Sequence, residues 1–135
     1  MFDNQKGAAM VIEEKKLNIL VVDDEEIVRE TIKRILKSEG FCVTVAECGN
    51  SAIELAKTSE MDVALLDIKL PGIDGIDTLI KLKEINPRLE AVMMTAYEVT
   101  ERIEKAFKEG AIACLHKPFD IQTLLDIFNE LKKKK

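Results

Sequence analysis

No tryptophan occurs in the 135 residues, aromatic side chains make up only 4% of them, and there is a single histidine. A core built from such a chain has to be aliphatic, drawn from the Ile, Leu, Val and Ala within a hydrophobic share of 47%. No apolar run approaches the ~18 residues of a membrane-spanning helix, and the N-terminus carries no apolar segment of signal-peptide type, so a soluble, cytoplasmic protein without a membrane partner is expected. Cysteine is scarce and odd in number. Cys42, Cys48 and Cys114 have no zinc-like spacing, which points to reduced thiols serving as small, buried apolar packing. Excess positive charge is missing too: the formal net charge is -5, so direct nucleic-acid binding by this domain is not expected. The one basic block, Lys132 to Lys135, reads as a solvated tail suited to the negative end of a helix.

What the chain does contain is alternation. Residues 1–16 read as a flexible leader, 17–131 as one domain, and 132–135 as the basic tail. Apolar runs of strand character end at Val22, Ala46, Asp67, Thr95 and Leu115. Helical stripes follow each of them. The first stripe holds Ile27, Val28, Thr31, Ile32, Ile35 and Leu36 and stops at Gly40; the second, capped by Asn50 or Ser51, holds Ala52, Ile53, Leu55 and Ala56. The third runs from Ile76 to Ile85 and breaks at Asn86-Pro87. The fourth, Thr100 to Lys108, is expected to pack Ile103, Ala106 and Phe107. The last, capped by Asp120, turns Ile121, Leu124, Leu125, Phe128 and Leu131 inward, while Asp74 and Asp77 read as turn or cap residues.

Five strand-helix repeats with short connections imply parallel strands joined by right-handed crossovers, an α/β three-layer sandwich. In such sheets the site lies outside the carboxyl ends of the strands. The polar residues ending the strands are Asp23 and Asp24, Asp67, Thr95 and Lys117. Three carboxylates gathered there repel one another by about 4 kcal/mol per pair at ~4 Å and an effective dielectric near 20. Lys117 offers one positive charge against three negative ones, so a divalent cation is expected, and hard oxygen donors select Mg²⁺ or Mn²⁺. A metal that keeps water ligands suits phosphate chemistry. With Asp67 as nucleophile, Lys117 would neutralise phosphoryl oxygens and the Thr95 hydroxyl would donate a hydrogen bond to the transferred group.

The motifs VVDDE, LLDIKLPGIDG, MMTAY and HKPF, in this order and spacing, resemble the receiver domain of bacterial two-component response regulators over about Lys16 to Leu131. The resemblance implies a flavodoxin-like fold: a five-stranded parallel sheet of order 2-1-3-4-5 with five helices. It implies that Asp67 accepts a phosphoryl group from a sensor histidine kinase or a histidine phosphotransfer protein. Asp24 and Asp67 would then bind Mg²⁺, Asp23 would act through water, and the backbone carbonyl of Lys69 would complete the metal site. Thr95 would be the switch, Ala96 the small residue beside it, and Lys117-Pro118 a cis bond. Lys69 and Tyr97 would tune how readily water attacks the phosphoryl group. One position departs from the pattern: Cys114 stands where the family has an aromatic switch, so coupling to the fourth helix has to use Thr95, backbone movement or another side chain.

Such a module signals to a downstream protein or a fused output domain, and it catalyses at most its own phosphorylation and slow dephosphorylation. The alternative reading is the receiver piece of a longer DNA-binding regulator. A Mg²⁺-dependent phosphatase of the haloacid dehalogenase type would need a second Asp at position 69, which is Lys. A dinucleotide site would need a glycine-rich loop after the first strand, and none is there.

Overall fold

A computed structural model of the chain describes residues 16–96 and 100–135. The expected leader, apart from its last residue, and Tyr97 lie outside the described residues. Five strands alternate with five helices: β1 (Asn18–Val22), α1 (Glu26–Ser38), β2 (Cys42–Ala46), α2 (Gly49–Thr58), β3 (Val63–Asp67), α3 (Gly75–Ile85), β4 (Glu90–Thr95), α4 (Thr100–Lys108), β5 (Ala111–His116) and α5 (Ile121–Lys134). All pairings are parallel and the order is β2-β1-β3-β4-β5, as expected for a flavodoxin-like sandwich. Sheet order reverses direction between β1 and β3, which sets Asp23 and Asp67 at the crevice.

The two faces of the sheet bury separate aliphatic clusters because alternate strand residues point to opposite sides. Leu20, Val22, Ala64, Leu66, Ala91 and Met93 pack with α2, α3 and α4 through Ala52, Ile76, Leu79, Leu82 and Ala106. Ile19, Val21, Val63, Leu65, Val92 and Met94 pack with α1 and α5 through Ile32, Leu36, Leu124, Leu125 and Phe128. Every residue of β3 is buried, so the strand carrying Asp67 is clamped on both sides. The five buried aliphatic and acidic positions there explain why the run reads apolar up to its last residue.

Four expectations about local structure are corrected. The cap residue of α2 is Cys48, not Asn50 or Ser51, which lie within the first turn. Ile27 is 81% exposed and Phe107 45% exposed: helical periodicity includes both in an apolar stripe, but each lies toward the rim of its helix, beyond the reach of the sheet. Cys42 is exposed on the edge strand β2 and Cys48, at the start of α2, is only partly buried, whereas Cys114, also partly buried, does pack against the core. The α5 helix extends through Lys134, placing three of the four terminal lysines on its last turn, where they suit the negative end of the dipole.

Candidate functional site

Each acid in the site is delivered by a strand that cannot continue. After β1 the chain turns at Asp23, whose carboxylate is fully buried and whose Oδ1 accepts the Glu25 amide at 2.9 Å. Asp24 points outward and is exposed. After β3, Asp67 accepts the Lys69 amide on Oδ1 at 3.1 Å, and Gly72, with φ of 76°, makes the turn that leads to α3, a conformation that costs glycine nothing. Thr95 ends β4 and is buried; its carbonyl accepts the Lys117 amide at 2.7 Å. The Lys117-Pro118 bond is cis.

The carboxylate oxygens of Asp23, Asp24 and Asp67 include one from each residue within 4.8 Å of the others. Lys117 crosses from β5 and donates to Asp23 Oδ2 at 2.5 Å and to Asp67 Oδ2 at 2.9 Å, with Glu25 Oε1 at 3.9 Å. An open cleft above this cluster is lined by Asp24, Asp67, Lys69, Ala96 and Lys117, with Glu25 on its rim. The Lys117 ammonium sets one positive charge against these three carboxylates. Burial pushes the Asp67 carboxyl above the ordinary range, and the nearby Asp23 charge adds to this, against the hydrogen bond and charge of Lys117. Burial also works against the charge on Lys117, but the hydrogen bonds and charges of Asp23 and Asp67 outweigh it and hold the amine above its ordinary pKa. Both partners thus retain protons more strongly, as expected where acids outnumber cations. The donor set, all carboxylate oxygen and under-neutralised, fits a hard divalent cation.

The structure therefore brings together Asp23, Asp24, Asp67, Lys69, Ala96 and Lys117 and sets Thr95 at the neighbouring strand end. Cys114 lies further back along β5, half-buried, with burial pushing its thiol pKa up. Two basic residues escaped sequence reasoning. Arg29 donates from Nη1 to the Asp23 carbonyl at 2.8 Å, and Arg102 pairs with Asp74. Both sit in the first turn of a helix, where a cation opposes the helix dipole; that mismatch is the sequence signal that could have found them.

Comparison with known proteins agrees with this geometry. A family model described as response regulator receiver domain matches residues 19–129. The Cyclic di-GMP phosphodiesterase of Thermotoga maritima is 39% identical over 108 residues, which are 80% of this chain and 29% of that protein. Sporulation initiation phosphotransferase F of Bacillus subtilis is 34% identical over 108 residues, covering 80% of this chain and 87% of the relative. The DNA-binding transcriptional regulator NtrC of Klebsiella pneumoniae is 37% identical over 101 residues, and there the chain spans only 22% of the relative's length. Among solved structures, the receiver domain protein of Methanospirillum hungatei superposes with a TM-score of 0.85 at 29% identity, covering 89% of this chain and 96% of that one. Matched along most of its length and carrying an acidic cluster at the carboxyl edge of a 2-1-3-4-5 sheet, the chain belongs to the response regulator receiver domain family of two-component signal transduction.

Proposed function

We propose that Asp67 is the phosphoacceptor of this receiver and that residues 17–131 form the working unit. The observation that carries the reading is Lys117 Nζ bridging Asp23 and Asp67 at 2.5 and 2.9 Å: Asp67 is the acid that ends a fully buried strand and is paired with a cation beside an open cleft. In the transfer, one Asp67 oxygen attacks the phosphorus of a phosphohistidine on a sensor histidine kinase or a histidine phosphotransfer protein. The P–N bond breaks as the P–O bond forms, and the imidazole leaves with the electron pair. Asp23, Asp24, Asp67 and the Lys69 carbonyl would hold Mg²⁺ or Mn²⁺, which when bound neutralises charge on the phosphoryl oxygens. Lys117 is placed to exchange its bond to Asp67 for one to a phosphoryl oxygen, and the Thr95 hydroxyl to donate another, both favouring the transition state over the free acid. Ala96, small and exposed at the cleft, leaves room for the transferred group.

Lys69, exposed beside Asp67, covers part of the approach for water, and Tyr97 is assigned the same role. The chain acts as a switch with at most slow self-dephosphorylation, in the cytoplasm, on a separate protein target or on a fused output domain. The second arrangement is favoured by the small share of several longer relatives that the chain spans. Among the described residues no helix is long and apolar enough to cross a membrane.

The test is intact-mass measurement after incubation with Mg²⁺ and acetyl phosphate. A single phosphoryl adduct is expected in the wild type and none in Asp67→Asn; an adduct surviving in that variant overturns the assignment. Followed in time, the adduct should disappear faster in a Lys69→Ala, Tyr97→Ala double variant, and an unchanged lifetime removes the tuning role from that pair.

A further inference from the structure

Asp74 uses its two carboxylate oxygens for two different elements. Oδ1 accepts the Asp77 amide at 2.9 Å and caps α3; Oδ2 accepts Arg102 Nη2 at 2.5 Å, reaching across to α4. The next residue, Gly75, lies against the main chain of the phosphoacceptor itself. Its amide donates to the Ile68 carbonyl at 2.7 Å, and a Cβ at this position would fall 2.1 Å from the Asp67 carbonyl oxygen. The start of α3 therefore cannot shift relative to the end of β3 without opening a contact that has no slack. On the other side, Arg102 is the third residue of α4, where its charge opposes the helix dipole. Helix stability does not account for it, whereas the ion pair to Asp74 does. The side chains are 42% and 31% exposed, so solvent screens the pair and any bias it exerts is modest.

We propose that the Asp74–Arg102 ion pair is a latch that holds α4 in its unphosphorylated position by tying it to the start of α3 and, through Gly75, to the strand that carries Asp67. It supplies a side-chain link between the phosphoacceptor and α4 that does not pass through position 114, where Cys114 is too small to act as a rotating lever. A contact made only in one of two positions of α4 shifts the equilibrium between them by its own free energy. The free-protein half of the inference stands by itself; the half concerning activation rests on Asp67 as phosphoacceptor.

The experiment is hydrogen exchange of the α4 amides in the wild type, Asp74→Asn, Arg102→Gln and the double variant, each with and without Mg²⁺ and beryllofluoride. Asn keeps the α3 cap while removing the charge, so the variants remain folded. Exchange in α4 is expected to be about two- to fivefold faster in each single variant, the range a partly exposed ion pair supports. The double variant should show no further increase, because both substitutions remove one interaction. The acceleration of α4 exchange by the beryllofluoride adduct should shrink in the variants by that same factor. Lys57→Gln, which breaks the Glu54–Lys57 pair on α2, is the control and should leave α4 unchanged. Unaltered exchange in the single variants, or additive effects in the double variant, overturns the latch. Intact mass after Mg²⁺ and acetyl phosphate is read in parallel: absence of the phosphoryl adduct in the wild type removes the Asp67 reading and leaves the free-protein cycle to decide the latch.

Discussion

Lys117 and Asp67 respond oppositely to neutralisation. Lys117 is the ammonium between the buried carboxylates of Asp23 and Asp67, with 16% of its side chain exposed. Its removal strands two carboxylates in a low-dielectric site, so Lys117→Met is expected to lose about 3–5 kcal/mol of stability, the cost of breaking a buried pair from one side. Asp67 behaves differently. Its carboxyl is held above the ordinary range by burial, so at neutral pH its ionised form is favoured more in the unfolded chain than in the folded one. Stability is thus lost as pH rises from the ordinary carboxylate value through the folded value, and Asp67→Asn should leave stability at pH 7 equal to or above that of the wild type. Urea denaturation of the two variants checks both signs, and a destabilised Asp67→Asn would contradict this account of the cluster.

For whole elements the sequence was most legible where both faces of a strand are covered. The runs ending at Val22, Asp67 and Thr95 became β1, β3 and β4, and the acids and Thr95 at their ends arrived where the carboxyl edge of a parallel sheet had to put them. Legibility failed at the rims. The helical period cannot tell the centre of an apolar stripe from its border, so it includes Ile27 and Phe107, which the structure leaves exposed. A cation in the first turn of α4 marks Arg102 but not its partner, and nothing local to Asp74, readable as a cap, points to Arg102 twenty-eight positions away. That double duty has a pH consequence. Burial alone would raise the Asp74 carboxyl, but the Asp77 amide and the Arg102 guanidinium outweigh it and hold it below the ordinary range. A carboxylate with a depressed folded pKa contributes stability that is present above its unfolded value and lost as pH falls through the folded one. Acid unfolding below the ordinary aspartate value should therefore be less steep in Asp74→Asn than in the wild type, as followed by circular dichroism.

Across the whole molecule, a cluster in which three carboxylates face the Lys117 ammonium makes stability depend on the medium. A divalent cation that binds the folded cluster and not the unfolded chain stabilises by mass action, about 2.7 kcal/mol at a hundredfold excess over Kd. Thermal melts should move up with millimolar Mg²⁺ and return on addition of EDTA. In an Asp24→Asn, Asp67→Asn double variant the melts should be indifferent to both, and an equal upshift there would mean that the ion acts elsewhere. The position of Lys117 also has a meaning in time. Its ammonium bonds partners 94 and 50 residues earlier in the chain, so during synthesis the acids emerge long before the amine that holds them together. Until β5 has been made and docked, the nascent protein carries Asp23 and Asp67 without the cation that joins them, so the geometry proposed for phosphoryl transfer is assembled only after the chain has been made through Lys117.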